Sequence, residues 1–138
     1  MSYNSVVLLL GSNINNPEKN IYIALKKIES EIGAILIKSE LIISDPVEFE
    51  SKNNFCNIAV KLKTQISPVK LLTQLKMIEI EMGRVKDSSY FGAYQDRIID
   101  IDIILYNNIR FISKKLIIPH QKNLYERDFA RVLINEVK

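Results

Sequence analysis

Residues 98–106, Ile-Ile-Asp-Ile-Asp-Ile-Ile-Leu-Tyr, form a β-type run that contains two carboxylates. Side chains alternate along a strand, so Asp100 and Asp102 share one face and lie about 6.5–7 Å apart along the backbone. The opposite face carries isoleucines, at positions 99, 101 and 103. A slip of one residue would bury both carboxylates, which fixes the register. The run therefore requires a sheet with one covered apolar face and one face on which two carboxylates can converge.

The rest of the chain supplies elements in an order that suits such a sheet. A strand over 5–10 ends at the turn signature Gly11-Ser12-Asn13, and helices begin at Pro17 and Pro68 and end near Gly33 and Gly83. Further strands are predicted at 34–43, 55–64, 98–106 and 109–118, with a closing helix after them. The order predicts an α+β, ferredoxin-like β-α-β-β-α-β antiparallel sheet, with both helices on one face, the other face free and a short C-terminal extension. Residues 1–138 are expected to form a single domain.

Composition and charge exclude several classes of protein. Hydrophobic residues make up 47% and charged residues 25%, and the apolar runs are too short for a bilayer, so we expect a soluble protein with no membrane partner. The N-terminus lacks a signal-peptide pattern and there is one cysteine, both of which favour the cytoplasm. Residues 84–138 hold ten basic and seven acidic side chains, so the whole net charge of +3 lies there. This excess fits a bound phosphate at least as well as a nucleic acid.

The aspartate pair has two interpretations. Two neighbouring carboxylates repel each other, and a hard cation such as Mg²⁺ favours oxygen ligands and relieves that repulsion. Mg²⁺ in turn usually binds together with phosphates. The alternative is a solvated strand face with salt bridges to nearby basic side chains.

Basic groups flank the aspartate strand in sequence. Arg84, Lys86 and Arg97 precede it, and His120, Lys122 and Arg127 follow it. An arginine fork matches phosphate oxygens and stabilises charge on a transferring phosphoryl group, although these residues could also be unrelated surface charges. The chain has no GxxxxGK[ST] motif, no protein-kinase motif set and no zinc-ligand spacing. Any phosphate chemistry must therefore rely on metal ions and positioning.

Three further residues are candidates with open alternatives. Glu79 lies on or beside the apolar stripe of the second helix and is either a ligand-site acid or a boundary residue paired with a basic group. Phe55 and Asn57 share a strand face, where a ring and an amide could bind a flat heterocycle. For Phe55 the alternative is core packing.

The motif RIIDIDIILYNN, preceded by MGRVK and followed by IIPH and ERDF, resembles the 6-hydroxymethyl-7,8-dihydropterin pyrophosphokinase family. The resemblance extends from LLLGSN to VLINEV. It implies an ATP-dependent enzyme of folate biosynthesis that transfers pyrophosphate to the pterin hydroxymethyl group and releases AMP. It also implies two Mg²⁺ ions, ATP as co-substrate, a monomer that binds no nucleic acid, and closure of the loops 44–54 and 84–97 over both substrates.

The resemblance also implies roles for individual residues. The two Mg²⁺ ions would bind Asp100 and Asp102, which with Arg84, Lys86 and Arg97 form the catalytic set. ATP would contact Glu79, Arg84, Lys86, Arg97, Ile103, Lys115, His120 and Arg127. The pterin would contact Ser44, Pro46, Val47, Phe55, Asn57 and Phe129, with the two phenylalanines sandwiching its ring and Asn57 binding its polar edge.

Two other functions remain open for this sequence. A nucleotidyltransferase could use the same aspartate pair and would release pyrophosphate in place of AMP. A non-catalytic RNA-binding domain of the same fold is the second possibility, but the aspartates would repel an RNA backbone.

Overall fold

The computed structural model describes residues 3–44, 55–83 and 98–138. Most of the loops 44–54 and 84–97, and with them Pro46, Val47, Arg84, Lys86 and Arg97, lie outside the described residues. None of the described helices is both long and apolar enough to cross a membrane. The elements are β1 (Asn4–Ser12), α1 (Pro17–Glu31), β2 (Ile35–Lys38), β3 (Ile42–Ser44), β4 (Phe55–Thr64), α2 (Pro68–Glu81), β5 (Asp100–Tyr106), β6 (Phe111–Ile112), β7 (Ile117–Ile118), a π-helical turn (Lys122–Glu126) and α3 (Asp128–Val137).

The main sheet has the strand order β2-β4-β1-β5, and β3 also pairs with β4. Every pairing is antiparallel, so the predicted combination of an antiparallel sheet with helices is confirmed. The single strand predicted over 34–43 is instead two short strands that both pair with β4. The single strand predicted over 109–118 is a small hairpin of β6 and β7. Strand β1 is longer than predicted, because Gly11 and Ser12 still pair with β4.

One face of the sheet is covered by α1 and α2. Both helices have proline at the first turn, which is favourable because its missing N–H would have no helical partner there. Their buried residues include Ile21, Ala24 and Ile28 of α1 and Leu71, Leu75 and Ile78 of α2. These side chains form one core with the predicted isoleucines, Ile99 just before β5 and Ile101 and Ile103 within it. Each fully buried Leu or Ile contributes about 1.5–3 kcal/mol, which stabilises the predicted register.

The prediction that the opposite face is free was wrong. Helix α3 lies against it, and its buried residues, Ala130, Leu133, Ile134 and Val137, follow helical spacing. They pack on sheet residues of the second face, Val7, Leu9, Ala59 and Ile104. Strand β4 was predicted to be half-exposed, but α3 covers it at Ala59. The apolar stripe of α3 must be buried, and this face of the sheet is where it packs. Beyond Leu9 and Ala59 the face becomes polar.

A β-bulge in β5 separates the two aspartates from the α3 contact. Val7 pairs with Leu105 and Leu8 pairs with Ile103, so Ile104 is the extra residue. Ile104 packs on the α3 side, while Tyr106 returns to the core under α1 and α2. Asp100 and Asp102 precede the bulge and keep the simple alternation that the sequence predicted.

Candidate active site

The polar part of the second face consists of neighbouring residues on three strands. Gly11 of β1 pairs with Asn57 of β4 on one side and with Asp100 of β5 on the other. Two residues further along these strands, on the same face, Leu9 pairs with Asp102. Because adjacent strands lie about 4.8 Å apart, Asn57 and Asp100 are separated by about 10 Å, with the glycine between them. The amide of Asn57 and the carboxylate of Asp100 thus flank Gly11, which has no side chain. We call these three neighbouring positions the polar strip.

Gly11 is a site residue that the sequence interpretation treated only as a turn signal. A Cβ atom at this position would lie 2.8 Å from Oδ1 of Asn57, closer than a real Cβ contact allows. The glycine is therefore needed for the observed position of the Asn57 side chain.

If Asn57 binds the pterin, as the resemblance implies, Gly11→Ala should weaken pterin binding more than it weakens the fold. The new methyl group would displace the end of the Asn57 side chain, not the backbone, so the melting temperature should fall by only a few degrees. The KM for the pterin should rise about tenfold, which corresponds to about 1.4 kcal/mol. Steady-state kinetics at saturating ATP would measure this, and an unchanged KM for the pterin would contradict the assignment of Asn57.

Asp102 is linked to three residues from the segment after β7. The side-chain amide of Asn123 donates to Oδ2 of Asp102 at 3.1 Å, and the Oδ1 of Asn123 accepts from Nη1 of Arg127 at 3.0 Å. His120 Nε2 lies 3.9 Å from the same Asp102 oxygen. The structure thus brings together the predicted residues Asp102, His120 and Arg127. Asn123, which connects them, was not predicted, because a lone amide in a polar segment carries no sequence pattern.

The protonation of His120 follows from its surroundings. The backbone N–H of Asn123 donates to Nδ1 at 3.3 Å, so in the neutral ring the proton is on Nε2, the nitrogen on the Asp102 side. Burial is the main cause that lowers the pKa of His120 from its ordinary value of 6.5, and Arg127 and Lys122 act in the same direction. Its backbone hydrogen bond and Asp100 oppose the shift.

A pH dependence of stability follows for the protein without ligands. Because the folded-state pKa of His120 is lowered, the unfolded chain binds its proton more readily. The resulting stability is fully present above about pH 6.5 and is lost as the pH falls through the folded-state pKa. Between pH 7 and pH 5, the wild type should lose more free energy of unfolding than His120→Gln. Urea titrations at several pH values would test this, and parallel pH profiles would contradict it.

Glu79 is held by the main chain of the aspartate strand. Its side chain is 5% exposed, and Oε2 accepts from the backbone N–H of Ile101 at 2.8 Å. Ile101 lies between the two aspartates on an edge strand, so this contact fixes the backbone from which both carboxylates project. The structure therefore gives Glu79 a main-chain partner, and its contact with ATP stays a prediction.

The remaining predicted residues are distributed over both faces. Phe55 pairs with Ser44 at the end of β4, two residues from Asn57, and Phe129 packs at the margin of the α3 contact. Ile103 is 3% exposed and belongs to the core under α1 and α2. Its side chain is on the wrong face for a ligand beside the aspartates, since the alternation that exposes them buries it. Lys115 is exposed between β6 and β7.

The donor set fits one kind of metal. Within the three described segments, no group of three or more His, Cys, Asp or Glu side chains could hold an ion. Asp100 and Asp102 offer carboxylate oxygens on one face, and Mg²⁺ typically uses one or two carboxylates and takes its other ligands from water and substrate phosphates. The residues present therefore fit Mg²⁺ bound together with a phosphate-bearing substrate.

A family comparison decides among the three functions considered above. The sequence model for 7,8-dihydro-6-hydroxymethylpterin-pyrophosphokinase (HPPK) matches residues 7–138. The chain belongs to the HPPK family. Membership makes it an enzyme of the pyrophosphokinase type and excludes both the nucleotidyltransferase and the RNA-binding domain.

Individual HPPK relatives agree with this assignment. The chain is 35% identical over 133 residues to the 2-amino-4-hydroxy-6-hydroxymethyldihydropteridine pyrophosphokinase of Porphyromonas gingivalis, covering 96% of this chain and 89% of that protein. It is 32% identical over 135 residues to the Bacillus subtilis enzyme of the same name, covering 97% and 78%. Among solved structures, Plasmodium falciparum HPPK-DHPS with pteroate has a TM-score of 0.71 at 17% identity. The match covers 98% of this chain and 39% of that longer one, and it supports the fold alone.

Proposed function

We propose that the chain transfers pyrophosphate from ATP to the hydroxymethyl group of 6-hydroxymethyl-7,8-dihydropterin, releasing AMP, in folate biosynthesis. The observation that carries this is the pairing of Gly11 with both Asn57 and Asp100 on one sheet face, with Asp102, His120 and Arg127 gathered beside it. The family match and the names of the relatives agree with the substrate class.

Asp100 and Asp102 would hold Mg²⁺, and we propose two ions. When bound, the metal neutralises charge on the ATP phosphates and helps to orient them for in-line displacement. Asp102 needs a defined orientation for this role, and Asn123 provides a hydrogen bond that fixes it.

The cations on the same side would bind the phosphates. Arg127 lies beside Asp102 and is bound to it through Asn123, and we propose that Arg84, Lys86 and Arg97 join it. His120, whose pKa is lowered, would contribute a neutral Nε2–H donor and not a cation. In the reaction, the pterin hydroxyl oxygen bonds to the β-phosphorus and its proton is released to the solvent. The bond between that phosphorus and the oxygen bridging to the α-phosphorus breaks, and its electron pair leaves with AMP. Fixed positive groups are suited to this chemistry because charge on the phosphate oxygens must be stabilised throughout.

The pterin would bind at the Asn57 end of the polar strip. Phe55 and Asn57 lie on one strand face. Phe129 belongs to α3, which covers the apolar part of that face. We propose that the two rings enclose the pterin, that Asn57 binds its polar edge, and that Ser44, Pro46 and Val47 complete the site. A flat, polar-edged heterocycle is well matched by aromatic faces and one amide.

Several properties of the whole chain belong to the same proposal. The strand order β2-β4-β1-β5, with α1 and α2 on one face, supports a ferredoxin-like arrangement. We propose that residues 1–138 act as one domain, as a monomer in the cytoplasm, and that closure of the loops 44–54 and 84–97 excludes water during transfer.

The decisive experiment is an analysis of the nucleotide product. The protein is incubated with ATP, Mg²⁺ and 6-hydroxymethyl-7,8-dihydropterin, and the nucleotides are separated and quantified. We expect AMP in an amount equal to the pyrophosphorylated pterin, and none when the pterin is omitted. Formation of ADP, release of free pyrophosphate, or AMP that does not depend on the pterin would refute the proposal.

A further inference from the structure

Asn123 is a fully buried polar residue beside Asp102. Its exposed fraction is 0%, although it lies in a short π-helical turn among exposed residues. Its three recorded hydrogen bonds all go to predicted site residues. The amide Nδ2 donates to Asp102, the Oδ1 accepts from Arg127, and the backbone N–H donates to His120.

We propose that Asn123 is a positioning residue that sets the Asp102 carboxylate and the Arg127 guanidinium at a fixed separation. This inference rests on the proposed function, in which Asp102 holds Mg²⁺ and Arg127 binds phosphate. One planar amide then links the metal-binding and phosphate-binding halves of the ATP site. A movement of Asp102 or of Arg127 would therefore shift the other residue.

The chemistry of the amide explains why asparagine suits this position. A carboxylate accepts hydrogen bonds and a guanidinium only donates them, so a residue between the two must donate on one side and accept on the other. The side-chain amide of asparagine does this within one rigid plane, with contacts of 3.1 and 3.0 Å. Each contact involves a charged partner, which makes it stronger than a neutral hydrogen bond.

The local backbone supports a dedicated role. Residues Lys122–Glu126 form a π-helical turn, a conformation that is rare and is often found at functional sites. Asn123 lies in this turn and Arg127 directly follows it, so the unusual winding determines how Asn123 reaches Asp102 and how Arg127 reaches Asn123. The same turn places the Asn123 backbone N–H on Nδ1 of His120.

Two variants of Asn123 and one control separate positioning from simple structural support. Asn123→Ala removes both side-chain contacts. Asn123→Asp keeps an acceptor for Arg127 but turns a carboxylate oxygen towards Asp102. The control is Asn20→Ala, which removes another partly buried amide with two hydrogen bonds, to the Ser12 hydroxyl and the Ile14 carbonyl.

The measurements include one that does not depend on turnover. Calorimetry would give the affinity for Mg²⁺ with α,β-methylene-ATP, in which the bond to be cleaved is replaced by a stable one. Melting temperatures with Mg²⁺ and with a chelator, and the KM values for both substrates, complete the set.

For Asn123→Ala we expect the affinity for Mg²⁺ with the analogue to fall about 10- to 100-fold, the usual effect of losing a group that orients a metal ligand. The Mg²⁺ concentration for half-maximal activity should rise, and the KM for the pterin should stay at the wild-type value. For Asn123→Asp, whose carboxylate repels Asp102, Mg²⁺ should raise the melting temperature more than it does in the wild type. Asn20→Ala should change only the melting temperature.

The proposal is overturned if Asn123→Ala loses thermal stability as Asn20→Ala does but retains wild-type affinity for the analogue and its wild-type Mg²⁺ requirement. If Asn123→Ala fails to fold, Asn123→Asp decides, and a Mg²⁺ response equal to that of the wild type overturns the proposal. Failure of the proposed function would be visible separately, since the wild type itself would release no pterin-dependent AMP.

Discussion

Asp102→Ala should lower kcat by about a thousandfold or more. A bound metal contributes several kcal/mol of transition-state stabilisation, and about 4 kcal/mol corresponds to a thousandfold in rate. Asp100→Ala should behave similarly, because both carboxylates project from the same face of β5. The product assay with ATP and the pterin measures the effect, with the KM for the pterin expected to change little.

Two further variants make this test specific. Asp102→Asn removes the charge but keeps an oxygen that can accept from Asn123, so it should be nearly as inactive as Asp102→Ala while unfolding closer to the wild type. Asp128→Asn removes a carboxylate from an exposed position on α3, where Asp128 pairs with Arg131, and should retain activity. Full activity of both Asp100→Ala and Asp102→Ala would show that the metal assignment is wrong.

Gly33→Ala should cause the largest loss of stability, about 3 kcal/mol or more. Gly33 follows α1, and a Cβ atom there would lie 1.9 Å from the backbone oxygen of Lys63 in β4. A backbone atom cannot rotate away as a side chain can, so α1 or β4 must shift. That shift would strain the hydrogen bond from the Lys63 N–H to the Ala34 oxygen and the one from the Thr64 hydroxyl to the Ile32 oxygen. Losses of this size are expected when a core contact is overpacked.

The free energies of unfolding of Gly33→Ala and Gly11→Ala, measured by urea denaturation, test this prediction because the two variants are expected to differ. The methyl group at position 33 meets backbone, whereas the one at position 11 meets the end of the Asn57 side chain. Gly33→Ala should therefore lose mainly stability, and Gly11→Ala mainly affinity for the pterin. Equal losses of stability in the two variants would contradict the distinction between these two contacts.

Alternation and capping patterns were enough to predict much of the fold. The isoleucines of β5 and the apolar stripe of α1 each bury one face, so periodicity alone indicated the core under the two helices. The cover on the other face was missed because the apolar stripe of α3 identifies a helix but not the surface on which it packs. The bulge at Ile104 could not be predicted either, because an extra residue within a run of apolar side chains does not alter the hydrophobic pattern of the sequence.

The site was predictable where charge or family motifs marked it. Alternation predicted that Asp100 and Asp102 share one face, and the strand pairing confirms it. The roles given to His120, Arg127, Phe55 and Asn57 from the motifs around them stay predictions. Gly11 and Asn123 were not predicted. Gly11 matters through its close approach to Asn57, and Asn123 through the hydrogen bonds that connect it to Asp102 and Arg127, and neither contact leaves a sequence pattern. For Ile103, alternation with the aspartates already indicated the buried side chain that the structure shows, and its contact with ATP stays a prediction.

The position of α3 links the lifetime of the site to a local opening of the protein. Phe129 lies in its first turn, and Arg127 directly precedes it, while Leu133, Ile134 and Val137 hold it on the sheet. Undocking of this helix would displace Arg127 and Phe129 without unfolding the core under α1 and α2. A ligand that binds only the docked state reduces the population of the opened state by the factor 1 + [L]/Kd. The exchange rates of the α3 amide protons should therefore report substrate occupancy in the absence of turnover.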